Sequence, residues 1–144
     1  MPTLADAIIL AVNAHRYQVD KAGQPYYLHT LRVMTKARTE TEQVVAVLHD
    51  LIEDTAYTPD DLRSIGCSDE ILGALDCLTH RKGESYDQFI ERIKPNPIAR
   101  RVKLADLEDN MDLTRLTELQ DEDLHRYQRY VKAWHVLSDL EADQ

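Results

Sequence analysis

Apolar residues recur at three- and four-residue spacings along almost the whole chain, and the densest stretch is Val44–Thr55, VVAVLHDLIEDT. Val44, Val45, Val47, Leu48, Leu51 and Ile52 cover most of a helical circumference, which predicts one buried central helix. Thr39 or Thr41 can cap its start, and it should end near Thr55. Around it the pattern predicts a first helix from about Leu4 to Gln18, capped by Thr3 with Asp6 in its first turn. A loop over Val19–Gln24 leads to Pro25 and a second helix, Tyr26–Arg38. Thr58-Pro59 opens a short helix that stops at Gly66. Ser68 opens another, to about Thr79, with Ile71, Leu72, Leu75 and Leu78 as its stripe. Ser85 caps a helix carrying Tyr86, Phe89 and Ile93, and Pro97 restarts the chain after Pro95-Asn96. In a last helix, from Asp121 to about Leu140, Leu124, Tyr127, Val131, Trp134 and Leu137 should face inward. These elements describe an all-α fold, and 144 residues are enough for one domain with a real core.

Charge and composition narrow the function. The formal net charge of −9 argues against a nucleic-acid partner, which wants a basic face. It still admits a small anionic ligand, because a bound cation and a few Lys or Arg can reverse the local field. The opening MPTLADAIILAV lacks a basic leader and reads as a first helix. No run approaches the roughly 18 apolar residues of a membrane span, so the expected place is the cytoplasm and no membrane partner is expected. Cys67 and Cys77 make neither a zinc spacing nor a disulfide framework and read as packing thiols. The sequence sets no oligomeric state.

The central helix is the chemically unusual element, because its apolar face carries His49, Asp50, Glu53 and Asp54. Burying four such groups costs several kcal/mol unless they are paired or hold a metal. On a helix Glu53 lies one turn beyond His49 and Asp50, and Asp54 one turn beyond Asp50. A nitrogen and three carboxylates in one small volume suit a divalent cation with an activated water. Further ligands must come from elsewhere, and His29 near the start of the second helix is a candidate. His15 is either a site residue or a core histidine with a satisfied hydrogen bond. In the helix after Pro97, Lys103, Asp106 and Asn110 share one face, as a site or as a surface stripe. The basic turn His80–Gly83, with Arg81 and Lys82, is either solvated or within reach of a phosphate.

Four pieces, AHRYQVDKAGQPYYLH, HDLIEDT, KLADLEDNM and the basic turn, together resemble the HD-domain superfamily, and within it the hydrolase domain of the RelA/SpoT alarmone enzymes. Small stand-alone alarmone hydrolases are the nearer match. The resemblance runs from about Ala11 to Leu113 and implies a compact all-helical HD-domain fold with one manganese ion. It implies His29, His49, Asp50 and Asp106 as metal ligands and Glu53 and Asp54 as the pair that positions or deprotonates the attacking water. Lys21 and Asn110 match nucleotide-contacting positions. Lys103, with Arg81, Lys82 or Lys21, would neutralise phosphates. The implied activity is hydrolysis of guanosine 3′,5′-bis(diphosphate) with release of pyrophosphate. The alternatives are a phosphatase on another nucleotide such as NADPH, or an inactive metal-bound nucleotide sensor. The chain departs from the usual AHxGQxRKxxGxPYxxHP at Tyr17, Asp20 and Thr30. LEDNMDL stands where RLHNMRT is usual, so Asp20 and Asp112 each replace an arginine.

Overall fold

A computed structural model describes residues 2–142. Local side-chain chemistry starts most of its helices. Thr3, Thr58 and Ser85 each accept a bond from the third residue of the helix that follows. Asp6, Asp61 and Gln88 return one to the cap amide. These capping boxes open α1 (Leu4–Ala14), α5 (Pro59–Ser64) and α7 (Tyr86–Ile93). Thr39, Ser68 and Asn96 cap α3 (Glu40–Leu48), α6 (Asp69–Leu78) and α8 (Pro97–Asn110) in the simpler way. A second helix, α2, covers Tyr27–Lys36, and a single turn, α4, covers Leu51–Asp54. A 3₁₀ turn at Leu113–Arg115 precedes the long α9 (Asp121–Ala142). Among the described residues the extended structure is one isolated bridge, Val19 to Pro25, so the fold is all-α as expected.

The core forms around α3, whose Val44, Val45, Ala46, Val47 and Leu48 have no exposed surface. It packs against α1, α2, α6 and α8. Cys67 is buried and Cys77 half-buried, and both are unbridged thiols. No helix among the described residues is long and apolar enough to cross a membrane.

Two expectations need correction. The stretch Val44–Thr55 is not one helix: α3 ends at Leu48, His49 and Asp50 form a turn, and α4 follows. The Ala46 carbonyl lies 2.6 Å from His49 Nδ1, so the imidazole competes for a backbone acceptor that an uninterrupted helix would use. The last helix also does not bury its whole stripe. Ala133 and Leu137 are buried, whereas Leu124 and Tyr127 are 44% and 36% exposed. Its C-terminal half is tied to α8, where the buried Arg100 donates to Glu141 Oε2 through Nε and Nη2 at 2.9 and 2.8 Å. Its N-terminal half stands over a cavity.

Candidate metal centre

The turn between α3 and α4 builds the site. If His49 Nδ1 donates to the Ala46 carbonyl, Nε2 is left with a lone pair. That nitrogen is buried without a hydrogen-bond partner. It approaches Asp50 Oδ2 at 3.1 Å and Asp106 Oδ1 at 3.3 Å. α2 brings His29 to the same place, with Nε2 at 2.9 Å from Asp106 Oδ1 and 3.8 Å from Asp50 Oδ2. α8 supplies Asp106. One ligand atom each from His29, His49 and Asp50 lie within 4.8 Å of one another, and the same holds for Asp50, Glu53 and Asp54. Orphaned buried nitrogens are rare in folded proteins. Two imidazoles and two carboxylates gathered here, with an unpartnered Nε2, are compatible with a divalent cation.

Each candidate ligand is braced. The Tyr26 hydroxyl donates to Asp50 Oδ2 at 2.5 Å. Lys103 Nζ donates to Asp106 Oδ2 at 2.8 Å, and Asn110 Nδ2 donates to Oδ1 at 3.2 Å. Burial works against the charge on Lys103, but Asp106 outweighs it and holds the ammonium above its ordinary pKa. Burial also opposes protonation of His29. Bonds to Asp106 and Asp109 outweigh this and raise it to about 9 when no cation is bound. A metal must displace such protons to bind.

The structure brings most of the sequence candidates together. Glu53 Oε1 accepts the His80 amide at 2.8 Å, which fixes it beside Asp50. Desolvation and the neighbouring Asp50 and Glu53 carboxylates push Asp54 up to about 6. His15 is fully buried, with Nδ1 2.8 Å from Gln18 Oε1, Nε2 without a hydrogen-bond partner, and its ring 5.3 Å from that of Tyr26. The basic turn touches the site through the His80 backbone. Arg81 itself donates to Asp76 on α6 at 3.1 Å, and Lys82 is exposed.

A cavity of about 390 Å³ opens beside His29 and Tyr26. Lys21 and Asn110 line it, as do Arg32, Arg115, Arg126, Tyr127 and Tyr130, to which sequence reasoning gave no role in a site. The last three sit on a helix read as packing alone. Their signal was the Arg and Tyr residues, Arg126 and Tyr130, that flank Tyr127 and Val131 of that supposedly inward face. Burial and the nearby Arg126 lower the Lys21 pKa. Asp20 and Asp112 line the cavity too, but both are engaged by their own loops. Asp20 Oδ1 accepts the Ala22 and Gln24 amides at 2.9 and 3.0 Å, and Asp112 Oδ1 accepts the Thr114 amide at 3.1 Å. Asp20→Asn keeps that acceptor and should change stability by less than about 0.5 kcal/mol. Asp20→Arg removes the acceptor of two loop amides and should cost about 0.5–1.5 kcal/mol in urea unfolding. Equal losses in the two variants would show that the charge matters rather than the acceptor.

No protein-family model matches the chain. Curated relatives do. A guanosine-3′,5′-bis(diphosphate) 3′-pyrophosphohydrolase from Vibrio cholerae is 28% identical over 122 residues, 75% of this chain. The bifunctional (p)ppGpp synthase/hydrolase SpoT of Escherichia coli is 30% identical over 122 residues, also 75% of this chain. The chain spans 17% of the length of each. A solved structure of a metazoan ortholog of SpoT that hydrolyses ppGpp superposes with a TM-score of 0.76 at 24% identity, over 95% of this chain and 86% of that one. In fold, this chain is an all-helical domain similar to that solved structure, and over three quarters of its length its sequence is similar to the (p)ppGpp synthase/hydrolases.

Proposed function

We propose that the chain is a manganese-dependent nucleotide phosphohydrolase whose substrate is guanosine 3′,5′-bis(diphosphate), from which it releases the 3′ pyrophosphate in the cytoplasm. The observation that carries this reading is the convergence of His29, His49, Asp50 and Asp106 beside Glu53, Asp54 and a nucleotide-sized cavity. A bound divalent cation supplies an acidified water and neutralises charge on the scissile phosphate. The rest falls to the side chains. Glu53, anchored at Oε1 by the His80 amide, has Oε2 left to take the proton of the attacking water. Asp54 assists it at the same cluster. The bond between phosphorus and the ribose 3′ oxygen breaks, pyrophosphate carries away the water oxygen, and the 3′ oxygen is protonated. Lys21 and Asn110 hold the nucleotide in the cavity. Lys103 acts through Asp106, because its ammonium is buried against that carboxylate.

A second reading is a phosphatase acting on another nucleotide. Asp20 and Asp112 favour it, since they place carboxylates in the cavity wall where arginines are usual. The deciding experiment offers guanosine tetraphosphate to manganese-loaded protein and identifies the product. Pyrophosphate release that stops on chelation is the expected result. Orthophosphate from a different nucleotide would replace the first reading with the second. A nucleotide bound tightly but recovered intact would make the chain a sensor.

A further inference from the structure

We propose that Asp109 is a positioning residue of the metal centre: pinned by two arginines, it fixes the ring of His29 so that Nε2 faces the cation. The inference rests on the metal reading above but not on the choice of nucleotide.

Asp109 is on α8, one turn beyond Asp106, and only 3% of it is exposed. Its Oδ2 lies 2.6 Å from His29 Nδ1. Arg32, one turn beyond His29 on α2, donates from Nε to Asp109 Oδ1 at 2.7 Å and from Nη2 to Oδ2 at 3.1 Å. Arg115 donates to the Asp109 backbone carbonyl at 3.0 Å and approaches Oδ2 at 3.6 Å. A two-point guanidinium fork is the most direction-specific contact a carboxylate can receive, so Asp109 has little freedom to turn. An ionised carboxylate can only accept, so the hydrogen of this bond belongs to His29 Nδ1. The positive guanidinium of Arg32 on both carboxylate oxygens keeps Asp109 in its ionised form. With Nδ1 acting as donor, the ring's other nitrogen is directed at Asp106 and Asp50. Metal-bound imidazoles commonly depend on such a carboxylate for tautomer and orientation.

The device belongs to this chain. In RLHNMRT, the family string that LEDNMDL replaces, the position of Asp109 is a histidine. Arg32 and Arg115 also line the cavity, so the bracing of the ligand and the cationic wall of the cavity are one construction.

The test is manganese titration of metal-free wild type, Asp109→Asn and Glu42→Gln. Glu42 serves as the control because it is a buried carboxylate paired with an arginine, Arg101, at 2.5 Å. Asp109→Asn should weaken manganese binding about 10- to 100-fold. Glu42→Gln should bind like wild type even if it melts earlier. Unchanged affinity in Asp109→Asn would overturn the proposal, and so would an equal loss in Glu42→Gln. A second readout needs no variant: ring nitrogen shifts of His29 in zinc-loaded wild type. A ring protonated at Nδ1 supports the proposal, and one protonated at Nε2 overturns it. Failure of wild type to bind any divalent ion would overturn both this proposal and the metal reading, whereas a normal Asp109→Asn would overturn this proposal alone.

Discussion

Asp106→Ala is expected to abolish stoichiometric manganese binding and, with it, turnover. Asp106 Oδ1 is the closest carboxylate oxygen to His29 Nε2, at 2.9 Å, and lies 3.3 Å from His49 Nε2, so it stands between the two imidazoles. The same substitution also strands Lys103. That ammonium is buried, lies 5.1 Å from the centre of the Phe89 ring, and has Asp106 as its carboxylate partner at 2.8 Å. Removing one partner of a buried pair costs about 3–5 kcal/mol. Loss of metal could then be blamed on loss of fold. Asp106→Ala with Lys103→Met separates the two effects, because methionine fills the same apolar slot without a charge. The double variant should recover much of the lost stability in a urea titration and still hold no metal. One ion per folded chain in either variant would remove Asp106 from the ligand set.

Glu53→Gln should lower kcat by about 10²- to 10⁴-fold while metal content stays at that of wild type. Glutamine retains an oxygen for the His80 amide, so the local fold is kept. What it lacks is a basic oxygen to accept a proton from water. Metal analysis and steady-state kinetics on the same preparation decide the matter. Wild-type turnover would end the role assigned to Glu53.

Much of the framework could be read from residue types and spacing. Thr3, Thr58, Ser68, Ser85 and Pro97 mark helix starts through chemistry confined to one turn, and each lies where that chemistry puts it. His49 and Asp50 were visible as polar intrusions in an apolar run. The break they cause was not, because the local pattern is continuous and the competition for the Ala46 carbonyl depends on a rotamer. Lys103, Asp106 and Asn110 read as one face of a helix and do share it, but spacing could not tell that Lys103 turns to Asp106 rather than outward. Asp109 escaped notice because its partners His29 and Arg32 are about eighty residues away in the chain, and no local rule joins them. The inward face assigned to the last helix erred for a related reason. A stripe of Leu, Tyr, Val and Trp looks the same whether it meets a core, solvent or the rim of a cavity; Tyr127 meets the rim and Leu124 is exposed.

The divided character of the last helix has a consequence for how such a protein can change. All four candidate ligands come from α2, the turn after α3, and α8, whereas Arg126, Tyr127 and Tyr130 come from a helix anchored further on, at Ala133, Leu137 and Glu141. Replacing the overhanging half disturbs neither the anchor nor the ligands. What the cavity admits and what the ligand cluster does to it are therefore inherited on separate pieces of chain. Selection or an engineer could retune the first by trading arginines and tyrosines over two turns while leaving the second untouched.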